Sequence, residues 1–358
     1  RRAALTTPAH PATLDPAFVS EFLADFDDLI LPRERAVFGV ESDIDGDGRV
    51  GLVFTPLTKD SAVAFFRQCD LSQSDGCDAG GGNRGELLYL TPPANIAPPY
   101  NTPAAIKEIL AHELGHLIHF NRKVLRNKLT KWPDASYMIE GFGGFAQDVV
   151  GFQAGNLYVA KAGLDAVNDV SLADVLGARS TYDAAKDGAL RGAGYLFVRY
   201  LYDRAGGDAV RPDGALEGRG GPAFLHDVMG AKESVAERAA AAARTSLADL
   251  AVDFYTTLAL SNAEKRGGAA PKNPCFAYLP AQVDPTTGKP RGADLSAAFH
   301  GQAMTGPKTQ VVGAADRSMR PGGVEYLTFE AAPGAATTSI GIRVDPAALP
   351  RVRVARVK

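Results

Sequence analysis

Apolar positions between Thr102 and about Asn127 recur at helical spacing: Ile106, Ile109, Leu110, Leu114, Leu117 and Ile118 form one broad stripe. That is the pattern of a helix packed inside a domain. Thr102 is placed to cap it and Pro103 to fill its first turn, where a missing N–H costs nothing. Upstream, Phe18, Phe22, Phe26 and Ile30 keep the same spacing and predict a helix lying on the main body. Between the two, VGLVFTPL (50–57) and GELLYLTPP (85–93) read as short strands. The glycine-rich GCDAGGGNRG that precedes the second is too irregular for a phosphate-binding loop and reads as linkage. From 135 to about 265 helical patterns dominate, among them YLFVRYLYDRAGG and AKESVAERAAAAARTSLADLAVDFYTTLAL. From about Lys272 the chain turns to Pro, Gly, Thr and Val, with VEYLTFEA, TSIGIRV and RVRVARVK as expected strands. An α+β fold follows, in three parts: residues 1–134 with a mixed sheet and the striped helix, 135–268 mainly helical, and 269–358 a small β-rich module.

The striped helix carries ILAHELGHLIHF, which places His112 and His116 four apart with Glu113 between them. Residues i and i+4 share a helix face, so both imidazoles can reach one tetrahedral cation. Glu113 then lies beside the metal, where its carboxylate can take a proton from an attacking water. Histidines in such an apolar helix need partners, since an unpaired buried polar group costs a few kcal/mol.

A catalytic zinc usually has three protein ligands and one open position. In the pattern H-E-x-x-H-x-x-G-x-x-H the glycine position is His119 here and the third histidine position is Arg122, so that arrangement is excluded. His119 lies about 10 Å along the helix axis from His112, and is expected to be a buried or supporting histidine. The third ligand is sought in KWPDASYMIEGFGGFAQDVVGF, where Glu140 follows His116 by 140 − 116 = 24 positions among apolar residues. A connection through Trp132 and Pro133, with Asp134 or Ser136 as the cap, would start a second helix that returns Glu140 over the metal.

ILAHELGHLIHFNRK through YMIEGFGGFAQDVVG resembles the hyicolysin-type secreted zinc metallopeptidases, within the gluzincin class whose third ligand is a downstream Glu. The likeness covers about residues 35–210 with decreasing sharpness. It implies a zincin-like catalytic domain, His112, His116 and Glu140 as Zn2+ ligands, and Glu113 as general base. Where many gluzincins carry an Asp one turn beyond the ligand Glu, this chain has Gly144, and Asp148 is the nearest substitute for orienting a zinc histidine. The family supplies its oxyanion donor from a downstream helix, here most like RGAGYLFVRYLYDRAGG. Arg191 and Tyr195 are the candidates, with Tyr182 and His226 behind them. The last strand before the active-site helix, Leu87 to Leu90, would by the same likeness form the cleft rim and bind extended substrate.

Two further features change the picture. ESDIDGDGRVGLVF sets Asp43, Asp45 and Asp47 in alternation before Gly48, the first half of a Ca2+ loop, but its twelfth position is Phe54, so it is not an EF-hand. An Asp/Gly turn without any ion explains it equally well. Cys69 and Cys77 flank CDLSQSDGC at bridging distance, which fits an exported protein; Cys275 is left over and expected to be buried. At 358 residues and net charge −3, the chain gives no reason to expect nucleic acid or anionic membrane as partner, and no span is apolar enough to cross a bilayer. It starts at Arg1 without Met, so any secretory signal is taken as already removed. The expectation is a secreted or periplasmic monomeric zinc endopeptidase acting on protein or peptide, against a non-catalytic binding or adhesion protein on the same scaffold.

Overall fold

In the computed structural model, which describes residues 4–6, 14–58, 60, 62–72, 77, 81–152, 156–177, 185–266, 273–311, 319–329, 334 and 350–355, the upstream stripe of Phe22, Phe26 and Ile30 is buried as its spacing predicts. It belongs to two helices, α1 (Pro16–Asp25) and α2 (Leu31–Phe38), joined without a break by a π-helical turn over Phe26–Ile30. Pro32 accounts for the turn. It has no N–H to donate and its ring would clash with the carbonyl four residues back. Widening the preceding turn, so that the Leu31 N–H bonds the Phe26 carbonyl, absorbs that defect.

Among the described residues, one four-stranded sheet contains β1 (Ala4–Thr6), β2 (Gly51–Phe54), β3 (Ala64–Phe66) and β4 (Leu87–Leu90), in the order β1-β2-β4-β3. β1 with β2 and β2 with β4 are parallel, whereas β3 runs antiparallel to β4. Leu52, Phe54, Leu88 and Leu90 alternate into the core. The two strands expected from sequence are therefore present, but the rim is not where it was expected. β4 is paired on both sides, and the edge is β3, held on β4 by the Phe65↔Tyr89 pair with rings stacked at 4.8 Å. Three residues are too few to show a period, which is why VAFF did not read as a strand.

The striped helix is α3 (Pro103–Phe120), capped by the Thr102 hydroxyl accepting the Ala105 N–H at 3.3 Å, and it continues into a π-helical turn over Asn121–Leu125. α4 (Ser136–Val150) carries Glu140. Neither expected residue caps it: Ala135 occupies the cap position, Ser136 is the first helical residue, and the Asp134 carboxylate accepts the Val235 N–H at 2.7 Å instead. There follow α5 (Asn156–Asp165), α6 (Leu172–Leu176), α7 (Asp187–Arg204), the hairpin β5 (Asp208–Val210) and β6 (Leu216–Gly218), and helices α8 (Gly221–Gly230), α9 (Val235–Ala242) and α10 (Leu247–Leu260). α4 lies between α3 and α7. Both crossings depend on glycine. A Cβ at Gly115 would stand 2.8 Å from the Ala146 Cβ, and one at Gly141 would stand 2.5 Å from the Gly194 carbonyl carbon.

β7 (Gln282–Val283) and β8 (Pro290–Arg291) form a hairpin whose Asp284 and Arg291 are buried in the helical lobe. Arg33 of α2 binds Asp284 at 2.5 and 3.1 Å, and Arg291 binds Asp208 at 2.6 Å through each of two nitrogens. Beyond lie the short pairs β9 (Ala298–Phe299) with β10 (Gln302–Ala303) and β11 (Thr309–Val311) with β12 (Tyr326–Thr328). VEYLTFEA thus supplies a strand. TSIGIRV lies outside the described residues, and the described part of RVRVARVK, 351–355, holds no strand. Cys69 and Cys77 are joined in a disulfide, while Cys275 is exposed rather than buried. No helix among the described residues is long and apolar enough to cross a membrane.

Glu34 on α2 is fully buried beside Gly115, and neither of its carboxylate oxygens has a hydrogen-bond partner. Burial, reinforced by the Glu41 charge, holds its pKa well above the ordinary 4.5. A raised folded-state pKa means that this group favours the fold below about pH 4.5 and opposes it increasingly as pH rises from there. Glu34→Gln is therefore expected to stabilise the protein at pH 8, by about 1–3 kcal/mol, and much less at pH 5. Denaturant midpoints at the two pH values check this, and an equal gap at both would rule it out.

Candidate metal centre

α3 holds His112 and His116 one turn apart with ring centroids 4.6 Å apart, edge to face. Glu140 comes in from α4: its Oε2 is 3.2 Å from His112 Nε2 and its Oε1 is 4.0 Å from His116 Nε2. Ligands bound at 2.0–2.1 Å around a tetrahedral zinc stand about 3.3 Å apart. The Glu140–His112 separation is close to that value and the Glu140–His116 one is wider. Among the described residues, His112, Glu113 and His116 have donor atoms within 4.8 Å of one another, as do Asp43, Asp45 and Asp47.

The approach of α4 is what brings Glu140 in. A Cβ at residue 143 would lie 2.4 Å from the Cε1 of His112, so Gly143 is the gap into which the imidazole fits. The glycines of EGFGGF thus serve two contacts, Gly143 with His112 and Gly141 with the backbone of α7 at Gly194. Glu113 faces the edge strand, and its Oε2 accepts the Phe66 N–H at 2.8 Å. A cavity of about 240 Å³ opens over these groups, lined by Val63 and Ala64 of the edge, Ile109, His112, Glu113, Glu140, Gly144, Gln147, Val159 and Arg191.

Electrostatics put most of these groups in states that suit a cation. Burial, then the neighbouring His112, lowers the His116 pKa to about 3, which keeps its imidazole neutral. Burial opposes ionisation of Glu140, but the hydrogen bond and charge of His112, the charge of His116 and Arg191 outweigh it and hold its pKa at about 2. His112 is pulled the other way: burial lowers its pKa, yet Glu140 and Glu113 raise it overall. Glu113 is pushed up to about 7 by burial, with the Glu140 charge adding to it, in the range useful for proton transfer near neutrality.

A scan against protein-family models and a search of curated proteins both found no match to this chain.

Sequence reasoning missed one residue at this centre. His112 Nδ1 lies 3.1 Å from Gln147 Oε1, so an amide holds the far side of that ring. Its signal was available: residue 147 is seven positions, two helical turns, beyond Glu140 and so on the same face. Asp148, expected in that role, points elsewhere and binds Arg199 at 2.8 Å and the Gly292 N–H at 2.7 Å. His119 is fully buried between Trp132 and Phe142, with Nε2 3.4 Å from Asp134, away from the three donors. Of the oxyanion candidates, Arg191 lines the cavity and bonds Glu140 directly, its Nε held by Asp187 at 2.8 Å. Tyr195 is buried to 1% exposure, packs on Gly144, and is not among the residues that line the cavity; its neighbours include Arg199 and Tyr278. His226 sits on α8, where its main-chain carbonyl takes the Arg122 guanidinium. Tyr182 lies outside the described residues.

Gly143→Ala is expected to push His112 out of line and to weaken any divalent-metal binding there about 10-fold or more while α4 remains helical, since alanine favours the helix. Zinc stoichiometry beside the far-ultraviolet dichroism checks it. Unchanged zinc uptake in a folded variant would mean that the crossing is looser than 2.4 Å implies.

Proposed function

We propose that this protein is a zinc-dependent endopeptidase, with His112, His116 and Glu140 holding the ion and Glu113 acting as general base. The observation that carries the reading is the meeting of Glu140, 24 residues downstream of His116, with both histidine Nε2 atoms. The motif resemblance to hyicolysin-type metallopeptidases supports it, and so does a mixed sheet whose antiparallel edge strand borders the cavity, as a zincin-like domain would have. The disulfide is in keeping with an oxidising compartment, hence with a secreted or periplasmic protein.

When bound, zinc would supply Lewis acidity, lowering the pKa of water and polarising the scissile carbonyl. The remaining roles belong to the chain. Glu113, oriented by the Phe66 N–H, would accept the proton of the attacking water and pass it to the leaving amine. Arg191, a permanent cation at the cavity wall, would stabilise the charge that develops on the carbonyl oxygen. β3, whose other edge is paired with β4, would take an extended peptide by strand addition, replacing the role first assigned to Leu87–Leu90.

Cleavage of a generic unfolded protein should vanish with a chelator and return with zinc. Glu113→Gln should keep zinc and lose about 10²–10⁴-fold in kcat, and Arg191→Ala about 10²–10³-fold, also with zinc bound. Stoichiometric zinc without any cleavage by the native chain would favour the non-catalytic binding protein. Near-normal turnover in Glu113→Gln would remove the base assignment alone.

A further inference from the structure

Arg191 reaches the cavity from a backbone that is locked on two sides. A Cβ at Gly192 would stand 1.9 Å from the Val159 carbonyl oxygen of α5, and one at Gly194 would stand 2.4 Å from the Tyr137 carbonyl oxygen of α4. α7 therefore has no room to turn or slide where Arg191 leaves it. The side chain itself is less confined. An arginine keeps several free torsions, and at 36% exposure packing alone does not fix them.

Asp187, one turn back at the start of α7, supplies the missing constraint. Its Oδ2 accepts the Arg191 Nε–H at 2.8 Å, and Arg191 Nη1 donates to Glu140 Oε2. With Nε and Nη1 both engaged, the plane of the guanidinium is set. Nη2 makes no hydrogen bond among the described residues. The second Asp187 oxygen, Oδ1, is buried without a hydrogen-bond partner, so the bond to Arg191 is the one this carboxylate makes among the described residues. An i, i+4 ion pair as open as this one adds little to stability. What it gives Arg191 is direction.

We propose that Asp187 is a positioning residue for peptide hydrolysis: by holding Arg191 Nε it keeps Nη1 on Glu140 and leaves Nη2 as the donor that meets the scissile carbonyl oxygen while charge develops there. This role rests on the peptidase reading above. Without Asp187 the cation stays at the cavity wall but its plane is free to rotate, so a donor is aligned only part of the time. The loss therefore falls on the transition state and not on binding of the intact peptide. It also passes wholly through Arg191, because that is the side chain Asp187 holds.

The test uses the full chain loaded with zinc, with zinc content, kcat and KM on a peptide, and calorimetric binding of a phosphonate peptide isostere as readouts. Asp187→Ala should lower kcat about 10- to 100-fold with KM and zinc content unchanged. It should weaken the phosphonate, whose anionic oxygens stand in for the developing charge, by a similar factor. Asp187→Asn, whose amide oxygen can still accept the Nε–H, should recover part of the loss. In an Arg191→Ala background the Asp187→Ala change should have no further effect. Full kcat in Asp187→Ala, a risen KM or lost zinc in place of the fall in kcat, no recovery in Asp187→Asn, or an undiminished Asp187→Ala effect without Arg191 would each overturn the positioning role and leave the peptidase reading standing. A zinc-loaded native chain that neither cleaves peptide nor binds the phosphonate would overturn both.

Discussion

The candidate centre depends on one helix crossing. α4 passes so close over α3 that the His112 imidazole fills the space where a side chain at residue 143 would begin. Only with that approach does Glu140 reach both histidines. The same helix is pressed on its other side against α7, backbone to backbone at Gly141 and Gly194. A wider separation at either crossing would leave buried ionisable groups without partners, which costs more than the glycines lose in helix propensity, about 1 kcal/mol each.

What holds α4 in that register is a set of buried ion pairs behind it. Asp148 and Asp203 share Arg199, and Arg291 grips Asp208 while donating to the Val149 carbonyl at 2.9 Å. Arg33 links α2, the Val150 carbonyl at the end of α4, and Asp284. Such pairs add little net stability compared with apolar packing, because desolvating both charges offsets most of their attraction. Their directional bonds do fix position: sliding α4 by one residue would break bonds from three arginines. The segment around residues 284–292, which composition sets apart from the helical lobe, is thereby part of the support for the centre.

Much of this was legible beforehand, and the divisions follow from range. Helix periodicity gave α3 and the upstream helix because their stripes repeat over several turns, and His112, Glu113 and His116 follow from spacing within one of them. Glu140 was readable because the apolar context made an isolated charge costly. Gln147 was not legible because a neutral amide carries no charge that its apolar surroundings would make costly, yet its oxygen can accept from an imidazole N–H. Asp148 was misplaced because its partner, Arg199, lies 51 residues away on a helix whose rotation about its axis periodicity does not give. The edge strand was lost because three residues carry no period, and its position beside α3 is a long-range fact.

That edge strand couples two parts of the proposed chemistry. The Phe66 N–H that fixes the Glu113 carboxylate belongs to the strand whose first residue, Ala64, lines the cavity together with Val63 just before it. β3 therefore cannot shift along β4 without also turning the base. A peptide added to that edge would be held in register with Glu113 by the same three-residue ladder, Ala64↔Leu90, Phe65↔Tyr89 and Phe66↔Leu88. Orientation of this sort removes the entropy of bringing peptide and base together. It also explains why so short a strand has a stacked aromatic pair and the nearby disulfide loop to brace it: Tyr89, stacked on Phe65, donates through its hydroxyl to Asp70, one residue past Cys69.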